Sequence, residues 1–533
     1  MVRHLAFLLT LLTIAAPSFS DEGHHHDDLT AQQLGTVHFP ISCAAGVQKQ
    51  FERGIALLHS FAFDAAEQAF QEVLKSDPTC AMAHWGIAKS KWRWDTDATR
   101  RQQGAEEIRA GERLHPHTSR ERDYLKAMGK FYSHPSDDKF NRGQAFNRAM
   151  ERLIRKNPED HEAQIFYAWS LISSDDDTHA ARKKAAAILE KLFVEEPNHP
   201  GVAHYLIHAY DTPAMAELGL PAARRYAKIA PGAAHALHMP SHIFARLGLW
   251  QEDIDSNLAS IAASRNAAAT HMSDEGHQYH AMEFLIYAYL QSGQDAKAQQ
   301  LIEEVRSLPK MKNMYGTDSD PQISALTQFT AAYVLELHHW EEAEALPIIS
   351  ALDSGDISIT YKARAIGAVH NGHLQVARTN LQAIHNLQAT YVAQKKPVMW
   401  ANAVADDARV VTALIDDAEG RNDAALGALR EVAKKEGGVF SPDGGIPAHE
   451  MLGDILNEMG KPGQALIEYE AELKLSPNRF NSVYGAGQAS EAARSPAKAA
   501  AYYQQLLKAC AGGDSTRPEI RHAQQYTSAV ARQ

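Results

Sequence analysis

The residues in this chain that invite chemistry are histidines. There are 28 of them in 533 residues, and between 204 and 283 they recur at helical spacing. His204/His208 and His238/His242 stand four apart, while His235/His238, His277/His280 and His280/Glu283 stand three apart. Positions three or four apart share one face of a helix. Neutral imidazoles one turn apart can chelate a single transition-metal ion, and a neighbouring helix can add further ligands. The expected metal ligands are therefore His204, His208, His238, His242 and His280, holding copper, zinc or iron. Asp211, one turn past His208, can ligate or orient an imidazole. These histidines exceed what one tetrahedral ion needs, which leaves room for two ions, or for one ion plus imidazoles free to move protons. His235 and Glu283 are the candidates for general acid or base. A bound ion would activate water for hydrolysis, or bind dioxygen if it is copper or iron. The chain has no HEXXH, so zincin chemistry is not implied, and no CxxCH, so covalent haem is excluded. Without metal, the same neutral histidines would bind an anionic peptide or act as acid and base.

Helices must position these groups. Alanine is frequent and β-branched alternation is scarce. Gly54, Ala66, Phe70 and Pro78 lie at intervals of 12, 4 and 8, and Gly453, Ala465, Tyr469 and Pro477 repeat those intervals. Small residues let helices approach, the aromatic packs between pairs, and the proline ends the second helix. The pattern resembles the tetratricopeptide repeat, a helix-turn-helix unit of about 34 residues that stacks into a superhelix. Less regular copies extend the likeness over most of residues 45–510. The resemblance implies an all-α, right-handed α-solenoid. The segment from His235 to Phe244 is also similar to segments of exported bacterial repeat proteins, from which no activity is carried over.

In the tetratricopeptide family, the first helix of each pair lines the concave face. Counting 4, 7 and 11 from Pro197 gives Gly201, His204 and His208; from Pro231 it gives His235, His238 and His242. The matching offsets before Gly293 give His280, Glu283 and Tyr287. Six of these nine inward positions are histidine. The helices are consecutive, so their inward faces adjoin. The same register makes Trp85, Lys89 and Trp92, with Arg93, an aromatic and cationic groove wall that Glu162, Trp169 and Tyr287 extend. His84 and His449 fall at inter-helix packing positions, His338 and His339 at an exposed turn, and Arg100 to Arg122 on a solvated helical face. The family's usual role implies a scaffold holding a peptide, a partner protein or a small molecule in the groove.

Composition narrows the rest. Net charge is −12, which argues against nucleic acid, because phosphate neutralisation needs a basic face. Hydrophobic residues at 45% and charged residues at 22% describe a globular chain. Met1 to Ser20 reads as a secretory signal, with a basic start, a short apolar run and small residues at the cleavage positions. A periplasmic or secreted location follows, and no later apolar stretch is long enough to span a membrane. Residues 21–44 then form a lead-in with His24-His25-His26, read as solvated. Residues 45–308 carry the histidine-rich array, 309–440 the middle repeats, 441–512 the last repeats, and 513–533 a fraying tail. Glycine and proline mark breaks at 309–321 and 437–447. Cys43 and Cys80 each precede the first helix of neighbouring repeats and are expected to pair in an oxidising compartment, leaving Cys510 free.

Overall fold

Gly54 and Phe70 show how the helix pairs are built. A Cβ on Gly54 would meet the Phe70 ring at 2.6 Å, and one on Gly86 would meet the same ring at 2.6 Å. Phe70 therefore wedges between the first helices of two successive pairs, where both lack a side chain. Tyr469 repeats the device between Gly453 and Gly485, with contacts of 2.6 and 2.4 Å. Each buried ring contributes about 1.5–3 kcal/mol. Steric room, rather than backbone freedom, selects glycine at these helical sites.

The computed structural model describes residues 30–93, 97–134, 139–175, 179–269, 277–309, 320–349, 354–394, 398–436 and 445–532. Among them every regular element is helical and none is a strand. Successive helices pack as antiparallel neighbours along an α-solenoid. No helix among the described residues is long and apolar enough to cross a membrane. The expected signal segment, the three lead-in histidines and most of both expected breaks lie outside the described residues.

The solenoid also folds back on itself. Helix Gln48–His59 packs on helix Pro200–Tyr210, four pairs later. Gly201 permits it, since a Cβ there would lie 2.4 Å from His59 Nδ1. At a second seam Gly248 (φ +63°) turns against the Pro477 carbonyl, where a Cβ would lie 2.1 Å away. Trp250 Nε1 donates to the Asn478 carbonyl nearby, at 3.1 Å.

The ends of the described chain are packed. Leu34 and Phe39 are buried, Thr36 N donates to the Asn198 carbonyl and Gly232 N to the Gln33 carbonyl. Cys43 and Cys80 are bridged, with Cα atoms 5.0 Å apart, and Cys510 is free. The tail does not fray. It forms helix Pro518–Val530, with Ala523 buried, and Arg517 ties it back to Asp295 and the Leu290 carbonyl. Nor is Arg100 to Arg122 all solvated face. Arg120 binds Asp160 and the Pro40 carbonyl, and buried Glu121 accepts from Ser42. His84 pairs with Glu107 and His449 with Glu468, each across a helix interface. His338 is exposed and His339 partly so.

Candidate metal centre

Three packed first helices bring the histidines together. Pro200–Tyr210 supplies His204 and His208. Ala234–His238 and Pro240–Arg246, separated at Met239, supply His235, His238 and His242. His277–Gln291 supplies His277 and His280. Pro240 lacks an N–H, which interrupts the helix, yet the His238 and His242 rings still lie 5.0 Å apart.

The imidazoles sort into two adjacent triads. His204, His208 and His235 form one; His238, His242 and His280 form the other. Within each, one nitrogen per ring lies within 4.8 Å of the other two. The triads touch: His208 and His242 are 6.1 Å apart, as are His235 and His238. His277 packs 5.1 Å from His235 at their edge.

The hydrogen bonds fix which nitrogens point inward. His204 Nδ1 donates to the His59 carbonyl at 2.6 Å. His242 Nδ1 donates to Asp211 Oδ2 at 2.9 Å, and His280 Nδ1 to Glu283 Oε2 at 2.8 Å. His238 Nδ1 donates to Asn257 Oδ1 at 2.7 Å, and the Asn257 amide is itself set by donating to Asp253. All four acceptors are oxygens without a proton to give, so each ring carries its proton on Nδ1. Nε2 of His204, His238 and His242 is then an acceptor, while no bond fixes the tautomer of His235, which can donate from Nε2 to His204. His204 Nε2 faces His235 Nε2 at 3.0 Å, and His238 Nε2 faces His242 Nε2 at 3.1 Å. Two ligands of one tetrahedral ion, each 2.0–2.1 Å from it, stand about 3.3 Å apart. His235 Nδ1 and His208 Nε2 are buried with no hydrogen-bond partner.

Burial keeps His204, His208, His235, His238 and His242 neutral. It lowers His204 to about 3 and holds His208, His235 and His238 well below the usual imidazole range, neighbouring histidines adding to the effect. Burial lowers His242 too, although Asp211 opposes it. Burial alone would raise Asp211, but the Arg246 guanidinium and His242 hold it ionised. A proton is therefore a poor occupant between the facing nitrogens, and a metal ion is a good one.

Several assignments change with this geometry. Glu283 holds His280 from outside the triad and is not placed as a free acid or base. His235 is a member of the first triad. Asp211 does orient an imidazole, that of His242. The groove wall is not open: Trp85, Lys89, Trp92, Glu162, Trp169 and Tyr287 are all buried. Trp85 packs on Phe39, Tyr124 and Phe166, because the fold-back and residues 30–44 fill that part of the concave face. Arg93 pairs with Asp64 instead of lining a groove. Sequence reasoning missed His59, Asn257 and Phe61. The first two have no metal-ligand spacing. Phe61 occupies a turn position with φ +55°, the conformation glycine takes at 248 and 293. Its ring lies 4.4 Å from His204 and 5.0 Å from His235, covering the first triad. A bulky residue at positive φ was a detectable signal only once the turn was placed.

A cavity of about 570 Å³ is bounded in part by Arg246, Tyr287, Lys362, Tyr391, Trp400 and Arg479, and none of the triad histidines lines it. Arg246 is one turn past His242, and Tyr287 one turn past Glu283. His208, His242 and His280 are the less buried ligands of their triads.

Residues 450–514 match the tetratricopeptide repeat family. No match to a curated protein was found. Among solved structures, a human IFIT1 dimer with m7Gppp-AAAA is 12% identical, covering 85% of this chain and 95% of its own, at a TM-score of 0.38. A tetratricopeptide repeat protein from Parabacteroides merdae is 15% identical, covering 55% of this chain and 98% of its own, at 0.29. Likeness at this level says nothing of a ligand or a reaction here.

Proposed function

On this tetratricopeptide-repeat solenoid we propose a pair of adjacent transition-metal sites, one in each histidine triad, serving an exported metal-dependent enzyme of the periplasm or outside medium. One observation carries the reading: His238 and His242, buried and neutral, turn their Nε2 lone pairs on one another at 3.1 Å while each commits its Nδ1–H to an oxygen. Facing acceptors in a dry interior repel unless a cation lies between them.

The residues fit copper, zinc or iron, which imidazole suits, and offer no thiolate. Three protein ligands per ion leave a position for water or substrate, as catalytic rather than structural sites do. Bound there, zinc would supply an activated water and copper or iron a site for dioxygen. The chain's own residues do the rest. Asp211, Asn257, Glu283 and the His59 carbonyl hold ring orientation and tautomer, which raises ligand basicity. Phe61 keeps water from the first triad. The cavity beside Arg246 and Tyr287 would take a small molecule or a chain segment one turn beyond His242.

Elemental analysis of the untagged, chelator-free protein tests this. Two copper, zinc or iron ions per chain are expected at the triads. A protein that takes up none of these metals is a groove scaffold instead.

A further inference from the structure

A second polar cluster lies on the far side of His204. Glu162, on helix His161–Ser173, is enclosed between His59 and His199. Its Oε2 is 2.9 Å from His59 Nε2 and its Oε1 is 2.9 Å from His199 Nε2. No side chain of the three is more than 3% exposed, and their ligand atoms lie within 4.8 Å of one another.

Hydrogen bonds alone leave this cluster unbalanced. A carboxylate enclosed between two imidazoles needs a counter-charge, and buried charges are paired or coordinate metals. The Lys89 ammonium is a weak source, since burial lowers it to about 7 and it sits over the Trp92 ring at 4.6 Å. The spacing also suits an ion. Tetrahedral ligands at 2.0–2.1 Å stand about 3.3 Å apart, so the 2.9 Å separations need open by only about 0.4 Å around an ion. Finally, His59 Nδ1 lies 3.1 Å from the Tyr205 hydroxyl, so the outer nitrogen of a ligating His59 already has its partner. His199 Nδ1 is buried without one, a cost that a ligand bond at Nε2 would offset.

We propose that His59, Glu162 and His199 bind a third divalent ion, zinc, in a closed site. No ligand position here faces solvent, so the ion is structural. It joins helix Gln48–His59 to helix His161–Ser173, whose Glu162 lies 103 residues from His59, and to His199 at the start of helix Pro200–Tyr210. It thereby steadies the His59 carbonyl that sets the tautomer of His204.

The test is metal stoichiometry on the untagged full chain, produced with zinc and cleared of loose ions by gel filtration. Zinc, copper and iron are counted, and crystals are measured for anomalous scattering at the zinc edge. Three ions per chain are expected, with a zinc peak between His59 and His199. Glu162→Gln should hold two ions, and His238→Ala/His242→Ala should also hold two while keeping that peak. Two ions in the wild type, unchanged in E162Q, overturn the third site and leave the triads standing. No ions at all overturn both readings. If E162Q does not fold, the wild-type anomalous map decides: no zinc peak at Glu162 ends the proposal.

Discussion

Two seams of this molecule bury polar groups, and they solve the problem differently. Around Arg479 every charge meets its complement. The guanidinium pairs with Glu336 and Glu450, and Ser482 donates to Glu450. Around His204 to His280 the groups are alike, and at His238 and His242 acceptor faces acceptor. The first seam is complete within the chain. The second asks for a cation from outside. A buried polar cluster is therefore read by its balance of donors and acceptors, not by its burial or by how many ionisable groups it holds.

The largest effect should come from removing ligands. His238→Ala/His242→Ala is expected to lose the ion of its triad, and His204→Ala/His235→Ala the other, with helix content by circular dichroism largely kept, because solenoid stability is spread over many interfaces. Full occupancy in either double mutant would erase the contrast between the seams. Arg479→Met should do the reverse. It leaves two buried carboxylates uncompensated and should cost about 3–5 kcal/mol in urea unfolding, with metal content unchanged.

Smaller effects sharpen the comparison. Asp211→Asn cannot hold both His242 and Arg246 as a carboxylate does, so chelator competition should show metal affinity at the second triad reduced about 10- to 100-fold. The first triad should be untouched. Acidification should act on the histidine seam. Unfolded imidazoles gain protons near 6.5, whereas His204 in the fold resists to about 3. Between those values the unfolded chain binds more protons, so apo stability falls as pH drops through that window and is fully present above it. Denaturant midpoints flat from pH 7 to 4 would contradict this. Last, Phe61→Gly should relieve a strained turn worth about 1–3 kcal/mol while hastening metal extraction from the first triad, read as a faster chelator rate.

Much of this was legible in the chain. The glycine, alanine, aromatic and proline intervals hold because Phe70 and Tyr469 need two facing glycines, a local requirement that any copy of the repeat must meet. The inward register of His204, His208, His235, His238, His242 and His280 followed from the same local geometry. Their sorting into two triads did not, because it depends on the break at Met239 and on how three helices cross. His59 was invisible for a different reason. Its partners are Glu162, Tyr205 and His204, and nothing in the spacing of residues 48–60 announces a contact with them. The burial of Trp85 and Trp169 was lost the same way, since repeat register describes a groove but not what fills it.

The fold-back gives the protein a history as well as a shape. Stacked repeats ordinarily form by nearest-neighbour steps, with little loop to close. The second triad is of that kind: its ligands and their supports, Asp211, Asn257 and Glu283, come from one short run of chain. The first triad is not. The bond that orients His204 spans 145 residues, so it waits until the intervening pairs are stacked and the ring of repeats meets itself. Long-range closure of this sort is slow. The two halves of one centre should therefore ripen at different times, the first triad only after the array has closed, so that an ion of the kind proposed for it would report that folding is finished.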